Sequence, residues 1–161
     1  MSETKITRRA MLASLTTMAA SGLALGVLGP TVAAADDAVT ITVYKDPSCG
    51  CCTKWVEHLR ASGLRPLVHD RSDMDAFKDS LGVPTALRSC HTAVAGKYVI
   101  EGHVPAVDLK TLLVQAPKGV LGLAVPNMPA GSPGMEMGGR RDRYDVIAFS
   151  ANGKTSVFAK H

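Results

Sequence analysis

The sequence predicts an α/β fold, a central sheet flanked by helices. Three observations carry that prediction. Strand-type and helix-type segments alternate between residues 39 and 115, three cysteines crowd into the first strand-to-helix turn, and an Asn-Gly hairpin signal lies near the C-terminus. The chain has 161 residues, 46% apolar, 20% charged and 4% aromatic. That length allows one domain or two small ones, and the composition excludes collagen, coiled coil and a multi-span membrane protein.

Val39 to Tyr44 (Val-Thr-Ile-Thr-Val-Tyr) is rich in β-branched residues and alternates, so it reads as a strand that Lys45-Asp46-Pro47-Ser48 breaks. From Cys49 to about Ala61 the period becomes helical, with Cys52, Trp55, Val56 and Leu59 at three- and four-residue steps. Ser48 is the expected cap and Ser62-Gly63 the stop. Leu64 to His69 forms a short second strand. Asp73 to Leu81 forms a second helix with Met74, Phe77 and Leu81 on one face, stopped by Gly82-Val83-Pro84. Trp55, Phe77 and Tyr98 read as core, and Asp70, Asp73, Asp75 and Asp79 as a solvated face and helix start. His91–Ala95 and Tyr98–Glu101 are extended runs around Gly96-Lys97, a hairpin signal. Pro105 suits the first turn of a third helix, Ala106 to about Gln115. The order β-α-β-α-β-β-α, with cysteines at the first turn, looks like a thioredoxin-type domain over residues 36–116.

Residues 117–161 fall outside that pattern and read as a C-terminal extension. Pro117 to Arg143 holds six glycines and four prolines in 27 residues, too long for an ordinary connection. Tyr144–Ser150 and Lys154–Ala159 then flank Asn152-Gly153, the strongest hairpin signal in the chain. A hairpin beyond the loop implies that the loop is a docked strap held at both ends.

Residues 1–35 read as an export signal: Arg8-Arg9, an apolar stretch from about Ala10 to Leu28, then Ala33-Ala34-Ala35 at the cut. The paired arginines resemble the twin-arginine class. Gly22, Gly26, Gly29 and Pro30 argue against an uncleaved anchor, so the mature chain is expected free of stable membrane insertion. The formal charge is +4, but the leader contains Lys5, Arg8 and Arg9 against Glu3, so residues 36–161 carry +2. No basic face with interleaved aromatics remains, and a nucleic-acid partner is not expected.

The candidate chemistry lies in Cys49, Cys51, Cys52 and Cys90. Two structural disulfides are the ordinary reading for an exported chain. Here vicinal bridging would strain the backbone, and one bridge to Cys90 would leave two thiols in the turn. Those two would be Cys49 and Cys52, a C-x-x-C at a helix N-terminus, where the dipole favours thiolate. A redox dithiol leaves the third cysteine unexplained. Consecutive helical side chains diverge by about 100°, so Cys51 and Cys52 do not share one tetrahedral ion. They suit separate ions of a sulfur-bridged cluster, with Cys90 as fourth thiolate.

Met128, Met135 and Met137 all lie in the Gly/Pro strap, where no apolar face needs them as filler. Thiolate with thioether selects a soft ion, Cu(I) above all. Met135 and Met137 are the candidate strap ligands. His91, beside Cys90, and His103, after the hairpin, are candidate imidazole ligands. His58 and His69 read as bystanders, and His161 is unplaced.

Four ordered motifs carry a family resemblance: Cys49-Gly50-Cys51-Cys52, Ser89-Cys90-His91-Thr92-Ala93, Tyr98 to Pro105, and Gly131 to Glu136. The chain from about Val39 to Lys160 resembles the CopG-like periplasmic copper-resistance proteins. The resemblance implies a thioredoxin-like domain with a metal-binding extension, and a cysteine-bridged multinuclear copper cluster beside the C-x-C-C turn. It also implies interconversion of Cu(I) and Cu(II) during detoxification, the work of a copper oxidoreductase. Copper ions and periplasmic copper-efflux components are the expected partners. Two competing functions are a thiol–disulfide oxidoreductase, with Cys49 attacking and Cys52 resolving, and a structural Zn or Fe–S module.

Overall fold

The computed structural model describes residues 39–136 and 138–161. Residues 1–35, expected to be an export signal, and the candidate ligand Met137 lie outside the described residues. β-Branched alternation makes Ile41–Lys45 the first strand, β1, whose Ile41 and Val43 point into the core. Helix α1 follows at Gly50–Ala61 and buries Cys52, Trp55, Val56 and Leu59 on one stripe. Its cap is Cys49 rather than Ser48: the Cys49 sulfur accepts from the Cys52 amide at 3.4 Å, while Ser48 is occupied with Asp46.

Strand β2 is Pro66–Asp70 and helix α2 is Met74–Ser80. Phe77 is only half-buried against Tyr44 and Arg71, and the buried residue of α2 is Lys78. After a 3-10 turn at Thr85–Leu87, strands β3 (His91–Ala95) and β4 (Tyr98–Gly102) form a hairpin. Helix α3 occupies Ala106–Gln115, as its apolar spacing predicts.

The segment expected to be all strap contains a further strand, β5 (Gly122–Val125). The terminal hairpin is β6 (Asp145–Phe149) and β7 (Thr155–Lys160). Among the described residues the strands form one seven-stranded mixed sheet, ordered β2-β1-β3-β4-β5-β6-β7. β1 pairs parallel to β2, β4 parallel to β5, and the other neighbours are antiparallel.

β4 is central and buried along its whole length, so successive residues serve two cores. Ile100 joins Trp55, Leu59 and Leu109 in the larger core, while Val99 joins Val83, Ala124 and Phe149 in the smaller one. The C-terminal end of β1, the start of β3 and the end of β4 open onto one edge of this sheet, where α1 begins. Among the described residues no helix is long and apolar enough to cross a membrane.

Candidate metal centre

The head of α1 concentrates sulfur. Cys49 and Cys52 are joined by a disulfide with Cα atoms 5.3 Å apart, within the normal range for a C-x-x-C at a helix start. Cys51 and Cys90 are free thiols. The Cys51 sulfur lies 3.5 Å from that of Cys49 and 3.8 Å from that of Cys90. All four sulfurs fall within 4.8 Å of one another, as the four-thiol expectation requires. The oxidation state differs from that expectation: the closed pair must be reduced before it can supply thiolates.

Cys90 reaches the cluster through the β3–β4 hairpin. The observed register pairs Thr92 with Glu101, and two further rungs bring Cys90 opposite His103. The Cys90 sulfur is 3.0 Å from His103 Nε2 and 3.3 Å from His91 Nδ1. Cys90, His91 and His103 thus form a second donor group sharing one sulfur with the first.

The strap orients the outer histidine. His103 Nδ1 donates to the Pro133 carbonyl at 2.7 Å, which leaves Nε2 with its lone pair towards Cys90. Burial lowers the pKa of His103, and burial followed by repulsion from His103 and Lys78 holds that of His91 well below the ordinary value. Both rings are therefore neutral donors near pH 7. His91 is fully buried against Trp55, and its Nε2 has no hydrogen-bond partner among the described residues. The Cys90 thiol is pushed up to about 12, by burial first and then by Cys51. The thiol is therefore protonated near pH 7, and holding a metal ion there would require that proton to leave.

Gly134 seals this arrangement from above. Its φ is +85°, and an added Cβ would stand 2.7 Å from the Cys51 carbonyl oxygen and 2.8 Å from the Trp55 nitrogen. Only glycine allows the strap to lie this close to the first turn of α1. Met135 follows directly and is half-buried, whereas Met128 is 40% exposed in a turn. The other histidines are engaged elsewhere. His58 Nε2 accepts from the Ala106 amide, His69 stacks on Tyr44, and His161 pairs with Asp108.

A buried ion pair behind Cys90 escaped the sequence reading. Lys78 and Glu101, with side chains 3% and 0% exposed, form a salt bridge. Glu101 accepts from the Ser89 amide and the Thr92 hydroxyl, both at 2.6 Å, and Lys78 donates to the Ser89 carbonyl at 3.1 Å. The pair grips the chain on both sides of Cys90-His91. Burial raises the Glu101 pKa, with Lys78 opposing it. The available signal was Lys78 itself, which shares a helical face with Met74 and Leu81.

Comparison with known proteins adds three findings. A family described as "protein of unknown function, DUF411" matches residues 87–135, the span from the 3-10 turn to Met135. Two solved structures, both described as copper resistance protein CopG, align with TM-scores of 0.72. One is 45% identical and covers 76% of this chain and 98% of its own; the other is 46% identical and covers 76% and 97%. No curated protein sequence matches.

Proposed function

The chain belongs to the family of CopG copper resistance proteins, and from that premise we propose that it binds copper in the periplasm as part of copper resistance. The observation that carries this reading is the set of four sulfurs within 4.8 Å of one another. Copper is cargo in this scheme, held in a cysteine-bridged multinuclear cluster by Cys49, Cys51, Cys52 and Cys90 once the disulfide is open. His91 and His103 supply imidazole nitrogen, and Met135 and Met137 supply thioether from the strap.

The chemistry of the donor set supports copper over harder ions. Thiolate and thioether match Cu(I), and imidazole also accepts Cu(II), so a mixed set tolerates both oxidation states and suits their interconversion. Deep burial on the His91 side excludes water, and the neutral rings need no deprotonation. The β2-β1-β3-β4 order, parallel then antiparallel, supports a thioredoxin-like domain at 36–116, with 117–161 closing the metal site. On this reading residues 1–35 are removed at export, and copper passes between this protein and efflux components.

Anaerobic titration of the reduced, metal-free protein with Cu(I) against a chromophoric chelator tests the proposal. More than one tightly held copper per chain is expected, and saturation below one refutes it. The Cys49–Cys52 disulfide at a helix head favours a second reading, a thiol–disulfide oxidoreductase acting on exported proteins. Cys51→Ser separates the two. Copper loss with an intact C-x-x-C supports the cluster, whereas full activity in a protein-disulfide reduction assay with no copper-dependent step supports the second reading.

A further inference from the structure

The four cysteines are chemically unequal: one pair is already bonded and the other remains free although its sulfurs are only 3.8 Å apart. We propose that this is a division of labour, with Cys49 and Cys52 as the electron donor that reduces Cu(II) and Cys51 and Cys90, beside His103, as the seat that receives the resulting Cu(I). The inference rests on the copper reading above and deepens it by naming where the electrons come from.

The balance is two thiols and two Cu(II) giving one disulfide, two Cu(I) and two protons. Two S–H bonds break, the Cys49–Cys52 bond forms, each copper gains one electron, and the protons leave to solvent. Geometry separates the two roles. Positions 49 and 52 are one helical turn apart, and their Cα spacing of 5.3 Å suits a bridge. Cys51 stays outside that bridge: its side chain leaves the helix at a different angle from Cys52, as adjacent helical positions do, and its sulfur lies between Cys49 and Cys90 of the hairpin. Cys90 is in turn fixed by its strand register and by the Lys78–Glu101 grip on Ser89 and Thr92. Closing the bridge therefore removes two ligands without disturbing the other sulfur pair or His103. The contact of 3.5 Å between the Cys49 and Cys51 sulfurs places donor and seat side by side, so a copper held at Cys51 is next to the sulfur that oxidises.

The test uses fully reduced, metal-free mature protein mixed anaerobically with two equivalents of Cu(II). Expected are loss of the Cu(II) paramagnetic signal, about two Cu(I) per chain as the balance requires, and, after copper removal and alkylation, a mapped Cys49–Cys52 disulfide with Cys51 and Cys90 both labelled. Cys49→Ser should abolish this stoichiometric reduction while leaving Cys51 and Cys90 alkylatable. A disulfide that maps to Cys51 or Cys90, or Cu(II) left unreduced, overturns the assignment. Parallel Cu(I) titration of the reduced protein keeps the two claims apart. Normal Cu(I) uptake with wrongly mapped disulfides sinks the division of labour alone, and absent Cu(I) uptake sinks the copper reading itself.

Discussion

Replacing Lys78 by methionine should strongly destabilise the metal-free protein. The substitution keeps the volume and leaves the Glu101 carboxylate buried, 0% exposed, without its counter-charge. Breaking a buried pair by removing one partner costs about 3–5 kcal/mol. Unfolding entropy of about 2.1 cal/mol/K per residue, over the unit Asp37–His161, amounts to roughly 0.26 kcal/mol per degree. The midpoint should therefore fall by roughly 11–19 °C. Lys78→Met combined with Glu101→Gln removes both charges while the amide oxygen still accepts from the Ser89 amide. That double variant should recover at least about 2 kcal/mol relative to the sum of the singles. Circular dichroism melts of the four proteins of this cycle measure it. A Lys78→Met cost below about 1 kcal/mol, or strictly additive singles, would refute the claim that this pair holds the Cys90 segment.

Gly134→Ala places a methyl group against the Cys51 carbonyl at a φ of +85°, so the strap must lift. The left-handed backbone alone costs about 1–2 kcal/mol, which, felt only in the closed strap, weakens copper retention about tenfold in a chelator competition. Trp55→Phe removes the donor to the buried Val104 carbonyl, a bond of 2.8 Å, and should cost about 1–3 kcal/mol by urea denaturation. His91 and His103 have folded pKa values below 6.5. The unfolded chain therefore binds protons that the native protein does not, and stability falls as pH drops from 6.5 towards 5. The slope is up to about 1.4 kcal/mol per pH unit for each ring, and urea midpoints of His91→Gln should show it reduced.

Periodicity made the regular elements legible. Leu109 and Leu112 mark α3, and Asn152-Gly153 marks the last hairpin; both lie where expected. β5 was hidden because its four residues sit among glycines and prolines, and pairing with β4 and β6 makes it a strand. The cap of α1 went to Cys49 because a sulfur side chain is not an ordinary capping group and Asp46 holds Ser48 one position earlier. Cys90 and His103 are symmetric about Gly96-Lys97, so their meeting is written in the spacing once the hairpin is accepted. The Lys78–Glu101 pair left only one trace, a lysine on the face of Met74 and Leu81; among aspartates it reads as surface, and its burial depends on how α2 seats on the sheet.

The two-residue turn at Gly96-Lys97 has a consequence for how this chain can change. Connections elsewhere on a protein surface usually tolerate insertions, but this one works as a ruler, setting by count which residue of the outgoing strand stands opposite Cys90. One added residue would slide the pairing by a step and turn every side chain of one strand to the opposite face. The imidazole would leave the sulfur while both cores lost their β4 contributions together. Composition there is free to drift; length is not.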